Sequence, residues 1–262
     1  MAADLHAFRY GPPGPTRVLA LHGLTGHGKR WQTWATHHLA DVTVVAPDLI
    51  GHGRSSWDAP WTIDANVAAL AALLDADGGQ PVVAVGHSFG GAIALNLAAA
   101  RPDLVDALVL LDPAIGLNGN SMRNVADEML ASPDYTDREE ARADKVSGSW
   151  RDVPEAELAA ELDEHLIEWP RGRVGWRMSL PAMMAYWSEL ARPIVLPGSG
   201  TPTTLLRATK TRQSYVSGRL IDSLQTHLTQ NFTLRDVDCD HMVPLARPDE
   251  SATAVREQLQ RT

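Results

Sequence analysis

The run PVVAVGHSFGGAIALNLAAA, residues 81–100, restricts the possible folds more than any other part of the chain. Its first half is a short, nearly continuous apolar stretch rich in valine, the pattern of a strand covered on both faces. Its second half is an Ala/Leu-rich helix former. Between them stands Gly86-His87-Ser88-Phe89-Gly90. A strand that turns this sharply into a helix holds the central residue in a strained conformation with its side chain exposed. The flanking glycines are required because a side chain there would strike the turn or the neighbouring strand. The helix that follows aims its N-terminal dipole at charge developing near Ser88.

The rest of the chain supplies a sheet to surround this unit. VLALHG (18–23), VTVVAPD (42–48), ALVLLDP (107–113), TTLLRAT (203–209) and FTLRDVD (232–238) read as further strands. LHAFRY (5–10) alternates and precedes the turn-rich GPPGP, which predicts an antiparallel edge strand. Helical patterns such as 66–76 and 91–100 lie between the strands. The predicted fold is therefore α/β, a doubly wound, mostly parallel sheet. Residues 115–192 break the alternation. DVPEAELAAELDEHLIEW (152–169) and LPAMMAYWSELAR (180–192) both carry helical spacing. This segment is expected to be a helical cap inserted after the strand ending near Asp112, with 1–114 and 193–262 forming the core domain.

The 262 residues, 44% of them hydrophobic, suffice for one large domain with a substantial core. The net charge of −9, with only Lys29, Lys145 and Lys210 as lysines, argues against a nucleic-acid partner. A single cysteine, Cys239, excludes an internal disulfide and a multi-cysteine zinc site. The start MAADLHAFRYG has an acid at Asp4 and no apolar h-region, and no apolar run nears the roughly 20 residues that span a bilayer. A soluble, cytoplasmic protein with no stable membrane insertion is expected.

A serine hydroxyl at the elbow needs a base within hydrogen-bond reach. Of the ten histidines, His241 alone follows the last strand, in CDHMVP (239–244), where the order Ser…acid…His requires the base. His37, His38, His165 and His227 fall in helical or polar stretches and are expected at the surface, and His87 is expected to pack structurally. His22-Gly23-Leu24-Thr25-Gly26 follows a strand directly, where a backbone amide would stabilise a tetrahedral oxyanion. The Leu24 and Phe89 N–H groups are the candidate donors.

Taken together, LHGLTGHGKRW (21–31), APDLIGHGRS (46–55), GHSFGG (86–91), LVLLDPA (108–114) and DHMVP (240–244) resemble the α/β-hydrolase superfamily over nearly the whole chain. The likeness is greatest to its capped serine esterase/lipase branch, particularly small actinobacterial and mycobacterial enzymes so labelled. A serine at the elbow, where epoxide hydrolases and haloalkane dehalogenases carry aspartate, implies acyl chemistry. The resemblance gives Asp48 a structural role only. Members of the family usually place the triad acid just after the strand represented by TTLLRAT, yet no carboxylate follows here until Asp222. A minority take it from the end of the preceding strand, which points to Asp112, with Asp222, Asp238 and Asp240 as alternatives.

The implied activity is hydrolysis of short to medium carboxylic esters through an acyl-enzyme, with no cofactor and no metal. The partner is a small-molecule ester. Trp150, Trp176, Met183, Met184 and Trp187 are candidate substrate-binding walls, although packing into the core accounts equally well for each. A carbon–carbon hydrolase, thioesterase or acyltransferase could use the same residues, and a receptor-like binding protein could retain the scaffold.

Overall fold

The computed structural model describes residues 4–212 and 214–261. In chain order the strands are β1 (Ala7–Tyr10), β2 (Val18–Leu21), β3 (Val44–Pro47), β4 (Val82–His87), β5 (Val105–Leu111), β6 (Leu166–Trp169), β7 (Arg173–Trp176), β8 (Thr203–Ala208) and β9 (Phe232–Val237). The helices are α1 (Gln32–His38), α2 (Ile63–Ala76), α3 (Phe89–Ala100), α4 (Gly119–Ala131), α5 (Arg138–Ser147), α6 (Glu155–His165), α7 (Leu180–Glu189), α8 (Gly218–Leu228), α9 (Val243–Ala246) and α10 (Pro248–Leu259). Seven strands form one sheet in the order β1-β3-β2-β4-β5-β8-β9. β1 runs antiparallel to β3, with Ala7 opposite Pro47 and Tyr10 opposite Val44, and the other pairs are parallel.

The two-residue period of the strands divides the apolar side chains between two layers. Leu19, Leu21, Ala84, Leu108 and Leu110 face α2, α3 and α8. Val18, Ala20, Val83, Val85, Val109 and Leu111 face α1 and α10. Every residue of β2, β3 and β4 is buried, so their sequences carry no polar alternation. The chain leaves β2 toward β3 and then returns to β4 on β2's other side. The strand order reverses there, so the loops after β2 and β4 leave the sheet side by side at their carboxyl ends. Open α/β sheets place their ligands in such a crevice.

Between β5 and β8 the chain forms α4–α7 and the hairpin β6–β7, outside the main sheet. The helical pattern expected over 152–169 stops at His165, and Leu166–Trp169 pairs antiparallel with Arg173–Trp176. Pro170 closes the strand, and Arg171 and Gly172 both take positive φ (67° and 72°), the geometry of a tight hairpin turn. Helical spacing of apolar residues persisted into a segment whose turn chemistry decides otherwise. α7 is helical as expected but packs into the main core. Met183 is wholly buried, and the Tyr186 hydroxyl donates to the Ile50 carbonyl at 3.0 Å.

Candidate active site

Ser88 occupies the elbow between β4 and α3 with φ 54° and ψ −118°, a conformation costly for any residue with a side chain. A Cβ on Gly86 would strike the Gly90 carbonyl, and one on Gly90 would strike the Leu21 carbonyl on β2. The turn is pinned to β5, because the Ser88 N–H donates to Leu111 O (3.1 Å) and the Ala114 N–H donates to Ser88 O (3.1 Å). Phe89 is the first residue of α3, so its N–H has no partner within the helix. Gly23 brings the loop after β2 against the elbow, where an added Cβ would lie 3.0 Å from Ser88 Cβ and 3.1 Å from His87 Nδ1. Leu24, the next residue, is half-buried.

Asp112 directly follows β5 with φ 45° and is 1% exposed. Its Oδ2 accepts from His241 Nδ1 at 2.6 Å, and its Oδ1 accepts from the Ala208 N–H at 3.1 Å. The paired imidazole therefore carries its proton on Nδ1, leaving Nε2 free to act as a base. The other carboxylates lie elsewhere. Asp222 is exposed on α8, Asp238 pairs with Lys210 at the surface, and Asp240 accepts the His241 backbone N–H at 2.7 Å. The His241 ring lies between Tyr215, centroid 4.1 Å away, and His87, centroid 4.7 Å away. His87 Nε2–H also donates to the His241 carbonyl at 2.8 Å. The sequence did not reveal Tyr215, because an aromatic in a loop has no spacing signal.

Buried histidines fix the surrounding loops. His22 Nε2 accepts the Leu49 N–H at 3.0 Å while Nδ1–H donates to Gly23 O at 2.8 Å, which joins the loops after β2 and β3. Burial holds His22 and His87 well below the usual imidazole range and brings His52 down to about 4. Asp48 is structural, accepting from the Gly28 N–H (2.6 Å) and the Arg54 N–H (2.8 Å).

His165, expected at the surface, is instead wholly buried and stacks on His27 and Trp176. It lies on the inner face of α6, and the polar composition of that helix concealed an interior made of charges. Glu161, also on that face, accepts from Arg30 Nε, His27 Nε2 and Lys145 Nζ, each at 3.0 Å. Burial alone would push the Glu161 carboxyl up, but Arg30 and Lys145 more than reverse this and hold it well below the usual range. Arg30 also donates to the Thr25 carbonyl at 3.1 Å, so the inserted segment grips the loop that carries Leu24. A second grip lies at Asp240. Its N–H donates to Asp152 at 2.9 Å, and the Arg151 guanidinium lies 2.7 Å from Oδ2 as an ion pair without hydrogen-bond alignment.

A cavity of about 360 Å³ opens between the inserted helices and Thr25, with Trp150, Trp176, Met178 and Lys145 in its wall. Of the other anticipated wall residues, Met183 is buried in the core, and Met184 and Trp187 pack half-buried against it. Cys239 is buried, and burial raises its thiol to about 12, leaving it unreactive.

The model of the alpha/beta hydrolase family matches residues 18–254, and the chain belongs to that family. It is 61% identical over 259 residues to lipase LipV of Mycobacterium tuberculosis, covering 99% of each chain. Among solved structures it is similar to E-2-(acetamidomethylene)succinate hydrolase, with a TM-score of 0.85 and 19% identity over 98% of this chain and 96% of the other. It is also similar to a marine microorganism esterase, with a TM-score of 0.77 and 21% identity over 97% and 99%.

Proposed function

We propose that this carboxylic ester hydrolase is a serine esterase working by two-step acyl transfer. The observation that carries the reading is the buried 2.6 Å contact of Asp112 with His241 beside a positive-φ serine elbow. Ser88 attacks the ester carbonyl while His241 Nε2 takes its proton, and Asp112 holds the imidazole tautomer and stabilises the imidazolium. The Leu24 and Phe89 amides receive the oxyanion, an interaction worth about 2.7–4 kcal/mol per donor in the transition state. His241 then protonates the departing alcohol, and water repeats the cycle to release the acid. The 61%-identical relative named a lipase supports ester as the substrate class.

The segment 115–192 serves as a cap, and its cavity of about 360 Å³ favours short to medium esters over long acyl chains. A fluorophosphonate probe, with p-nitrophenyl esters of increasing length alongside, tests the scheme. Labelling and hydrolysis should both vanish in Ser88→Ala. Retention of either in that variant would overturn the assignment.

A further inference from the structure

We propose that the cavity beside the oxyanion loop is an anion subsite in which Lys145 pairs with a carboxylate on the acyl part of the substrate, making half-esters of dicarboxylic acids the preferred class. This deepens the serine esterase reading and rests on it. The buried charges do not balance. Among the described residues, Glu161 is the one carboxylate contacting the cluster's side chains, and it faces two cations, Arg30 and Lys145. Arg30 is satisfied through Glu161 and the Thr25 carbonyl. Lys145 spends one contact on Glu161, and the faces of Trp150 (4.3 Å) and Trp176 (4.1 Å) flank its ammonium. An ammonium has three donors, and its aromatic neighbours accept no conventional hydrogen bond. Lys145 is 8% exposed, and what remains open lines the cavity.

A buried cation short of a counter-ion is a costly arrangement for stability alone, whereas an arriving carboxylate completes it. The cavity touches the loop after β2 directly and is linked to the loop of His241 through Arg151. Thr25 follows Leu24, and Trp150 precedes Arg151, the residue paired with Asp240 beside His241. Other charged and titratable groups facing it are Glu128 and Asp144 at the exposed mouth, the latter bound by the Tyr135 hydroxyl, with His27 and His165 behind Glu161. Water screens the mouth acids far more than the buried ammonium. Burial lowers Lys145 to about 8, against the opposing pull of Glu161, so anion preference is full below that pH and fades as pH rises through it.

The test compares mono-4-nitrophenyl glutarate with 4-nitrophenyl valerate, esters of equal acyl length that differ by a terminal carboxylate. The wild type should favour the glutarate ester at least ten-fold in kcat/KM. Lys145→Met should abolish that preference and Lys145→Arg should keep much of it. Ser149→Asp, which adds a competing carboxylate to the cavity wall, should weaken it without removing the lysine. Equal turnover of both esters by wild type, or a preference surviving in Lys145→Met, would overturn the subsite. If wild type cleaves neither ester, the esterase reading fails on its own. Binding of glutarate, followed by fluorescence of the flanking tryptophans in wild type and Lys145→Met, still decides the subsite. Equal binding by the two proteins refutes it.

Discussion

Mild acid should destabilise this protein, and the effect follows from four buried histidines. His22, His52, His87 and His165 are all buried, and burial depresses each, His52 to about 4 and the others well below the ordinary range. In the unfolded chain each takes up a proton near pH 6.5. The unfolded state therefore binds more protons below that pH, and stability, full above 6.5, falls as pH drops toward the folded values. For His52, the fall from 6.5 to about 4 contributes a loss of about 2 kcal/mol at pH 5, against a usual total of 5–15 kcal/mol, and His22, His87 and His165 add losses of the same sign. Loss of the charge on Glu161, also depressed in the fold, acts in the same direction at still lower pH.

With a urea m-value of about 3 kcal/mol/M, His52 alone should lower the midpoint by about 0.7 M between pH 7.5 and 5, and the other three histidines should lower it further. His165 offers an internal control, since both of its ring nitrogens lack partners and its ring stacks on Trp176. His165→Phe keeps the stack and should lessen the fall in midpoint toward pH 5. A midpoint that moves less than about 0.5 M over this range would refute the argument that these rings stay neutral in the fold.

Two further outcomes are expected. Asp112→Asn should leave the fold intact but lower kcat by about 10⁴ with little change in KM, because the amide no longer imposes the reactive imidazole tautomer; steady-state kinetics on a p-nitrophenyl ester check this, and a loss below ten-fold would send the acid's role elsewhere. Because Glu161–Arg30 and Asp152–Asp240 fasten the inserted segment to the loops that carry Leu24 and His241, hydrolysis of a short triglyceride should rise smoothly through its solubility limit. A rate jump there would mean that the cap opens at interfaces.

The sheet was readable because its strands are short, apolar and separated by Gly, Pro and Asp, and β1 emerged as the antiparallel edge strand that the alternation in LHAFRY predicts. Ser88 and His241 stood out as candidates because an elbow and a post-strand loop each have a local signature. Asp112 rested on family resemblance and the lack of an acid after β8, and the structure places its carboxylate on His241. What escaped notice depends on contacts between distant segments. α4 and α5 have mostly polar surfaces and bury few residues. Lys145, Glu161 and Arg30 look like solvated charges on any helix plot, yet they meet in the interior. Met183, Met184 and Trp187 form a convincing apolar stripe, but spacing alone does not say which side of a helix faces substrate.

The two clasps also bear on how such enzymes can be rebuilt. A lid that merely rests on its scaffold can be exchanged for another as an independent part. Here Asp152 supports the loop that carries His241, and Glu161 holds, through Arg30, the loop that carries Leu24. A chimera that receives a foreign segment here without equivalents of these two carboxylates would gain a new pocket and lose the scaffolding of the loops that carry Leu24 and His241. Transplanting them together with the lid is the condition for changing selectivity while keeping turnover.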